Sequence, residues 1–262
     1  MCACWETTPR CSSFCGAEGV DIGNFLLLTA PRFGQSSRMY SCFLIVVVGW
    51  VFSVCLHEFG HAWVAMKGGD YTVEEKGYLS MNPVHYAHPV TSFLLPMLFM
   101  AMGGIGLPGG AVYINKHLLR SREWDTAVSL AGPAMNVGLA VVLTLLLRLV
   151  FIPHFPESSA TNALAFLLVL QISAILFNLI PVPPLDGFQA LEPWLPGHWK
   201  EAIMPVAANG MFILFLVFWY VQPVNHAFWT TVYGISDFLG VNRTYAALGY
   251  AEFQFWKQPP VQ

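Results

Sequence analysis

The chain has 262 residues, 56% of them hydrophobic and only 10% charged, with a mean hydropathy of +0.56. A soluble domain carries roughly 25% charged residues, so this composition excludes an ordinary water-soluble globule and makes lipid the natural solvent. The net charge of -3, with Lys and Arg scattered along the chain, provides no basic stripe for a nucleic-acid partner.

Residues 1–38 contain Cys2, Cys4, Cys11 and Cys15. They form no Cys-x-x-Cys pair, so the segment is expected to be a poorly ordered leader rather than a metal knuckle. Its apolar patch at 25–28 is too short for the h-region of a secretory signal. The first long apolar run is 40–66, which can cross a bilayer as a helix and holds Cys42 and Cys55. Residues 67–86 are polar and Gly-rich, a loop with a short strand expected around 77–81. The apolar run 89–106 is shorter, contains Pro96 and ends in the Gly-rich stretch 103–110.

Residues 116–125 are charged. A second clear span follows at 126–151, then a short loop with two prolines at 152–162. A third span at 163–180 is stopped by Pro181, Pro183 and Pro184. A fourth is expected at 202–221. The tail, 225–262, is aromatic and mixed, and is expected at the membrane interface. The fold class is therefore an all-α membrane protein. A polytopic bundle of about four to six membrane segments, one of them re-entrant, forms a single core over 39–224.

Inside the first span stands His57-Glu58-Phe59-Gly60-His61. Histidines at i and i+4 lie about 40° apart around a helix, so both imidazoles can reach one ion. Glu58 projects from the adjoining face, beside a metal-activated water rather than onto the metal. The pattern supplies two ligands and a general base on one helix. A buried His–Glu hydrogen-bonded pair is the bland alternative, but ionisable groups within a bilayer helix are functional candidates by default.

A catalytic zinc takes three protein ligands and one open position. The other histidines, at 85, 88, 117, 154, 198 and 226, lie outside the confident spans. Asp186 closes Asn178-Leu-Ile-Pro-Val-Pro-Pro-Leu-Asp-Gly187. The prolines there force extended backbone, which membrane depth tolerates only beside a cavity or within protein. On spacing alone, Asp186 is either the third ligand or a carboxylate marking the water interface after a Pro-terminated helix.

These paired motifs, with Leu79-Ser-Met-Asn-Pro83 and Ala131-Gly-Pro-Ala-Met-Asn136 between them, resemble the site-2 protease family of intramembrane metalloproteases over roughly residues 40–195. The resemblance implies one Zn2+ per chain held by His57, His61 and Asp186, with Glu58 as catalytic base. Asn178 matches the family's motif asparagine, to which an oxyanion or substrate-positioning role attaches; a helix-packing hydrogen bond is the other reading. Phe188 and Gln189 follow Gly187 where relatives often continue with Gly-His, a departure that bears on substrate fit. The lack of PDZ- or CBS-sized insertions points to the compact branch.

Both metal motifs must share one depth. His57 and His61 lie in the C-terminal half of the first span, and Asp186 follows the C-terminal end of the third. If 89–106 and 126–151 both crossed, those ends would face opposite sides, so 89–106 is expected not to cross. Lys67, Lys76, Lys116, Arg120, Arg122 and Lys200 then share one side, cytoplasmic by the positive-inside rule, although Arg10, Arg32 and Arg38 oppose it. The expected function is hydrolysis of membrane-anchored proteins in a plasma (inner) membrane. A non-catalytic scaffold or metal transporter is the alternative, disfavoured because the polar groups converge on one locus.

Overall fold

The computed structural model describes residues 33–80, 112–207, 209–254 and 256. These residues form helices and turns without a strand. The first helix, α1 (Phe33–Gly68), runs 36 residues. A short helix α2 (Thr72–Glu75) follows, then an extended stretch at 112–115 and a 3-10 turn, Lys116–Leu118. Helix α3 (Arg122–Leu146) continues through a π-helical turn, Leu147–Phe151, to His154. Helix α4 (Ser159–Asn178) begins where the Ser158 hydroxyl accepts the Thr161 N–H, an N-cap that satisfies one of the orphan donors. After the proline turn come α5 (Asp186–Leu191), α6 (Gly197–Ala207), α7 (Gly210–Tyr220), α8 (Gln222–Phe238) and α9 (Arg243–Phe253).

Among the described residues, three helices are long and apolar enough to cross a membrane, Ser37–Gly68, Arg122–His154 and Ser159–Asn178, or four if the bent pair Gly210–Tyr220 and Gln222–Phe238 is one span. Helix α4 is the central one. Of an apolar 18-residue window in each, 78% is buried within the protein for α4, against 33% for α1 and 28% for α3, so α1 and α3 present their remaining faces outward. Close approach of α1 and α3 depends on Gly60, where a Cβ would stand 2.9 Å from the Ala131 carbonyl oxygen. Small residues at such crossings let backbones approach where no hydrophobic effect drives helices together.

One core cluster joins Leu147, Leu168, Val232, Val241 and Ala246. A second joins Val46, Trp50, Leu170 and Phe253. Thus α8 and α9, which hold most of the described residues of the 225–262 tail, pack apolar residues on α4 and α1.

Two expectations need correction. The span at 202–221 is not one helix: α6 ends at Ala207, α7 starts at Gly210 and has only 11 residues. The chain then bends by 89° into α8. Gly210 packs against the Pro183 carbonyl, which leaves no room for a side chain at that position. The strand expected around 77–81 is instead a turn, with Gly77 at φ 73°, Gly77 N–H bonded to the Glu74 carbonyl and Ser80 N–H to that of Gly77; Met81 lies outside the described residues.

The chain returns to the end of α1 before α3 begins. Arg120 donates its N–H to the Gly68 carbonyl at 3.0 Å, and Asn115 donates its N–H to the Asp70 carboxylate at 2.7 Å. Leu79 and Val112 pack in the same cluster as Ala62 and Val73. Chain leaves and re-enters at one end of the bundle, as the shared depth of the two motifs requires. The 89–106 segment itself, like the Cys-rich leader, lies outside the described residues.

Candidate metal centre

Helix α1 places His57 and His61 one turn apart, and both are buried. Their rings meet edge to face, 4.7 Å between centroids at 80°. The proline turn after α4 brings Asp186, first residue of α5, against them. His57 Nε2 lies 3.1 Å from His61 Nε2 and 3.2 Å from Asp186 Oδ2. His61 Nε2 lies 3.5 Å from Asp186 Oδ1. Donors held tetrahedrally around zinc, each about 2.0–2.1 Å away, stand about 3.3–3.4 Å apart, and the three observed separations bracket that edge length. Among the described residues, His57, His61 and Asp186 form the one group with metal-ligand geometry.

The tautomer of His61 is set by its surroundings. Its Nδ1 lies 2.7 Å from the Val128 carbonyl oxygen, so Nδ1 carries the proton and Nε2 presents a lone pair to the group. A backbone acceptor behind a histidine is the usual device for aiming a metal ligand. Pro133, inside α3, has no N–H for the Ser129 carbonyl, in the same stretch that offers Val128 to His61. Gly132 faces the group directly: a Cβ there would lie 2.6 Å from His57 Nε2 and closer still to His61 Nε2.

Glu58 is buried and stands apart from the three-donor group. Its Oε2 accepts the Val112 N–H at 3.1 Å. Glu58, His57, His61 and Asp186 line a cleft of about 380 Å³, walled by Val112, Tyr113 and Ile114 on one side and by Asn178, Pro184 and Gln189 on the other. Asn178, the last residue of α4, is 3% exposed and its Nδ2 has no hydrogen-bond partner.

The sequence-predicted residues His57, Glu58, His61, Asn178 and Asp186 therefore all meet at one cleft. His117 and His154 are exposed and the His198 ring lies tilted at 54° to that of Trp199; none of them joins the group, and positions 85 and 88 lie outside the described residues. Sequence reasoning missed three contributors. The Val128 carbonyl and the Val112 N–H are backbone groups with no sequence signature. Asp70 is fully buried and anchors the extended 112–115 stretch; a lone carboxylate next to Gly68-Gly69 was the available sign.

Residues 43–158 match Peptidase family M50. The chain is 43% identical over 214 residues to "Putative zinc metalloprotease Rip2" of Mycolicibacterium smegmatis, covering 82% of this chain and 81% of that one. It is 41% identical over 245 residues to the protein of the same name from Mycobacterium tuberculosis, covering 93% of each. With "Putative zinc metalloprotease YwhC" of Bacillus subtilis it shares 28% over 189 residues, 70% of this chain and 84% of that one. No solved structure matches the chain. With the apolar helices and the cluster of ligand type, these likenesses make the cofactor Zn2+ and the chain a multi-pass membrane protein that belongs to peptidase family M50, the site-2 protease family.

Proposed function

We infer that the protein is an intramembrane endopeptidase that hydrolyses peptide bonds of membrane-anchored proteins, with His57, His61 and Asp186 as zinc ligands and Glu58 as general base. The observation that carries this reading is the position of Glu58, outside the ligand group yet opening on the same cleft. Zinc, when bound there, supplies Lewis acidity, lowering the pKa of water and polarising a carbonyl. Glu58 takes a proton from the attacking water and returns it to the leaving amine. The Val112 N–H holds Oε2 and so leaves Oε1 for that traffic. The unpartnered Nδ2 of Asn178 is free to donate to the oxygen on which charge develops, the kind of contact that strengthens in the transition state.

A helical substrate must unwind locally, because its carbonyls are committed to its own helix. The cationic side chains Lys67, Lys76, Lys116, Arg120 and Arg122 lie toward the metal end of the bundle, which supports a cytoplasmic orientation in a plasma membrane. The test is Glu58→Gln, with a single-span substrate reconstituted or co-expressed. Zinc content should stay near one per chain while cleavage falls at least ~100-fold, the lower end of general-base contributions. Near-normal cleavage by this variant would defeat the mechanism; a wild type inert against several such substrates would favour a non-catalytic scaffold.

A further inference from the structure

Adjoining the cleft, with His57, Glu58 and Asn178 in both linings, lies a second and much smaller cavity of about 10 Å³, close to the space one water molecule needs. Six polar side chains border it: Ser53, whose hydroxyl donates to the Trp50 carbonyl, Glu58, and four that leave a buried polar atom unpaired, Trp50 and His57 from α1, Asn136 from α3 and Asn178 from α4. Each of these four is at least nine-tenths buried, at 2%, 5%, 4% and 3% exposure. Trp50 Nε1, His57 Nδ1, Asn136 Oδ1 and Asn178 Nδ2 have no hydrogen-bond partner. Three of these atoms are donors and one is an acceptor. A buried polar group left unpaired costs roughly 1–3 kcal/mol, and four around one small void is a concentration that native interiors avoid.

The protonation of His57 follows from its other nitrogen. Nε2 faces Asp186 and His61, so ligation uses Nε2 and the proton sits on Nδ1. His61 aims itself with a direct bond to the Val128 carbonyl; His57 has no such bond. We propose that Asn136 is the positioning residue for His57, acting through one buried water that accepts the His57 Nδ1–H and Trp50 Nε1–H and donates to Asn136 Oδ1. The water converts two donors and a distant acceptor into a closed set, which a direct contact cannot do because Asn136 Oδ1 bonds to nothing in the fold. The arrangement fixes the tautomer and ring plane of His57 as the Val128 carbonyl fixes those of His61. This proposal rests on His57 being a ligand through Nε2.

The experiment uses full-length protein in detergent, loaded with zinc and labelled with 15N-histidine. Zinc should shift the Nε2 resonance of His57, assigned by its loss in His57→Gln, and its Nδ1–H should exchange magnetisation with buried water in water-edited solid-state NMR. Zinc affinity is then measured on three variants. Asn136→Leu keeps volume and removes the acceptor, and should weaken zinc about 10–100-fold, the usual cost of losing an outer-shell partner. Asn136→Asp keeps the acceptor and should stay within about threefold of wild type. Asn136→Ala leaves room for a second water to replace the amide oxygen, and should fall between them.

A role in packing alone reverses that order, with Ala the most damaging and Leu mild, and would overturn the proposal. So would a zinc-shifted His57 whose Nδ1–H shows no water contact, a measurement that stands even if Asn136→Leu fails to fold. A His57 resonance indifferent to zinc instead removes the ligand assignment, which separates failure of that reading from failure of this one.

Discussion

At Gly132 the missing side chain leaves room for the imidazoles of His57 and His61, the proposed zinc ligands. A methyl group there would press on both Nε2 atoms. Gly132→Ala should therefore lower zinc affinity at least about 10-fold, consistent with disturbing a ligand-supporting contact, although every ligand remains; competition with a chromophoric chelator measures it. His57→Ala, His61→Ala and Asp186→Ala each remove one of three ligands and should lower zinc content in metal analysis of the purified protein. Full retention in the Asp186 variant would reject that residue as ligand. How much of this was legible varies with the residue. His57, Glu58 and His61 lie on one helix, where spacing fixes geometry. Asp186 is far away in sequence, so spacing alone left it ambiguous, and only the folded proline turn brings it within 3.2 Å of His57. The carbonyl behind His61 and the N–H beside Glu58 could not be read, because every residue offers the same two groups.

The extended 112–115 stretch owes its place to Asp70. The Asp70 carboxylate accepts the Asn115 N–H at one oxygen and both the N–H and hydroxyl of Thr72 at the other. Asp70→Ala strands those donors, at roughly 1–3 kcal/mol per unpaired group. Faster amide exchange at Val112 and Asn115, with zinc retained and cleavage reduced, is the expected outcome in hydrogen–deuterium exchange mass spectrometry; unchanged exchange would show that the stretch is held elsewhere. Among the helices, α1, α3 and α4 were readable from continuous apolar runs, although α1 and α3 extend past the predicted ends because charged residues such as Arg122 and Glu123 are compatible with helix outside the hydrocarbon layer. The 202–221 run deceived for a physical reason. Its composition suits a span, but Asn209-Gly210 is a poor helix interior, and the contact of Gly210 with the Pro183 carbonyl is a tertiary event that composition does not contain.

The bundle puts its metal centre at one end and its polar staple at the other. Arg38 donates to the Ser159 hydroxyl and pairs with Glu252, while Asn162 donates to the same Glu252 carboxylate at 2.9 Å. This ties α1, α4 and α9 together far from the cleft. Gly249 lets α9 lie on the Asn162 carbonyl, so Gly249→Leu should displace α9 and lower the thermal unfolding midpoint in detergent, with zinc binding in the folded fraction preserved. Single cysteines at His117 and Glu157, in a background free of native cysteine, should react with a membrane-impermeant thiol reagent from opposite sides of intact vesicles, His117 from the cytoplasmic side. Labelling of both from one side would overturn the topology. The sequence conveyed the helical class and the common depth of the two motifs. It did not convey how α8 and α9 pack, since they bury scattered residues, Val232, Ser236, Ala246, Gly249 and Phe253, rather than a continuous apolar run.

On the proposed function, the position of His61 along α1 sets a limit on what can be cut. Gly68 ends the helix seven residues beyond it, about 10 Å at 1.5 Å per residue, in a hydrocarbon layer about 30 Å thick. With the membrane surface taken at Gly68, the proposed reaction needs a client's scissile bond to reach a shallow level, about two helical turns from that surface. Helix-weakening residues such as Gly, Asn or Pro would matter most in that last stretch of a client's membrane segment, and the same residues placed at its midplane would leave it uncut. Choice of client then becomes a matter of where a helix frays rather than of which side chains flank the bond.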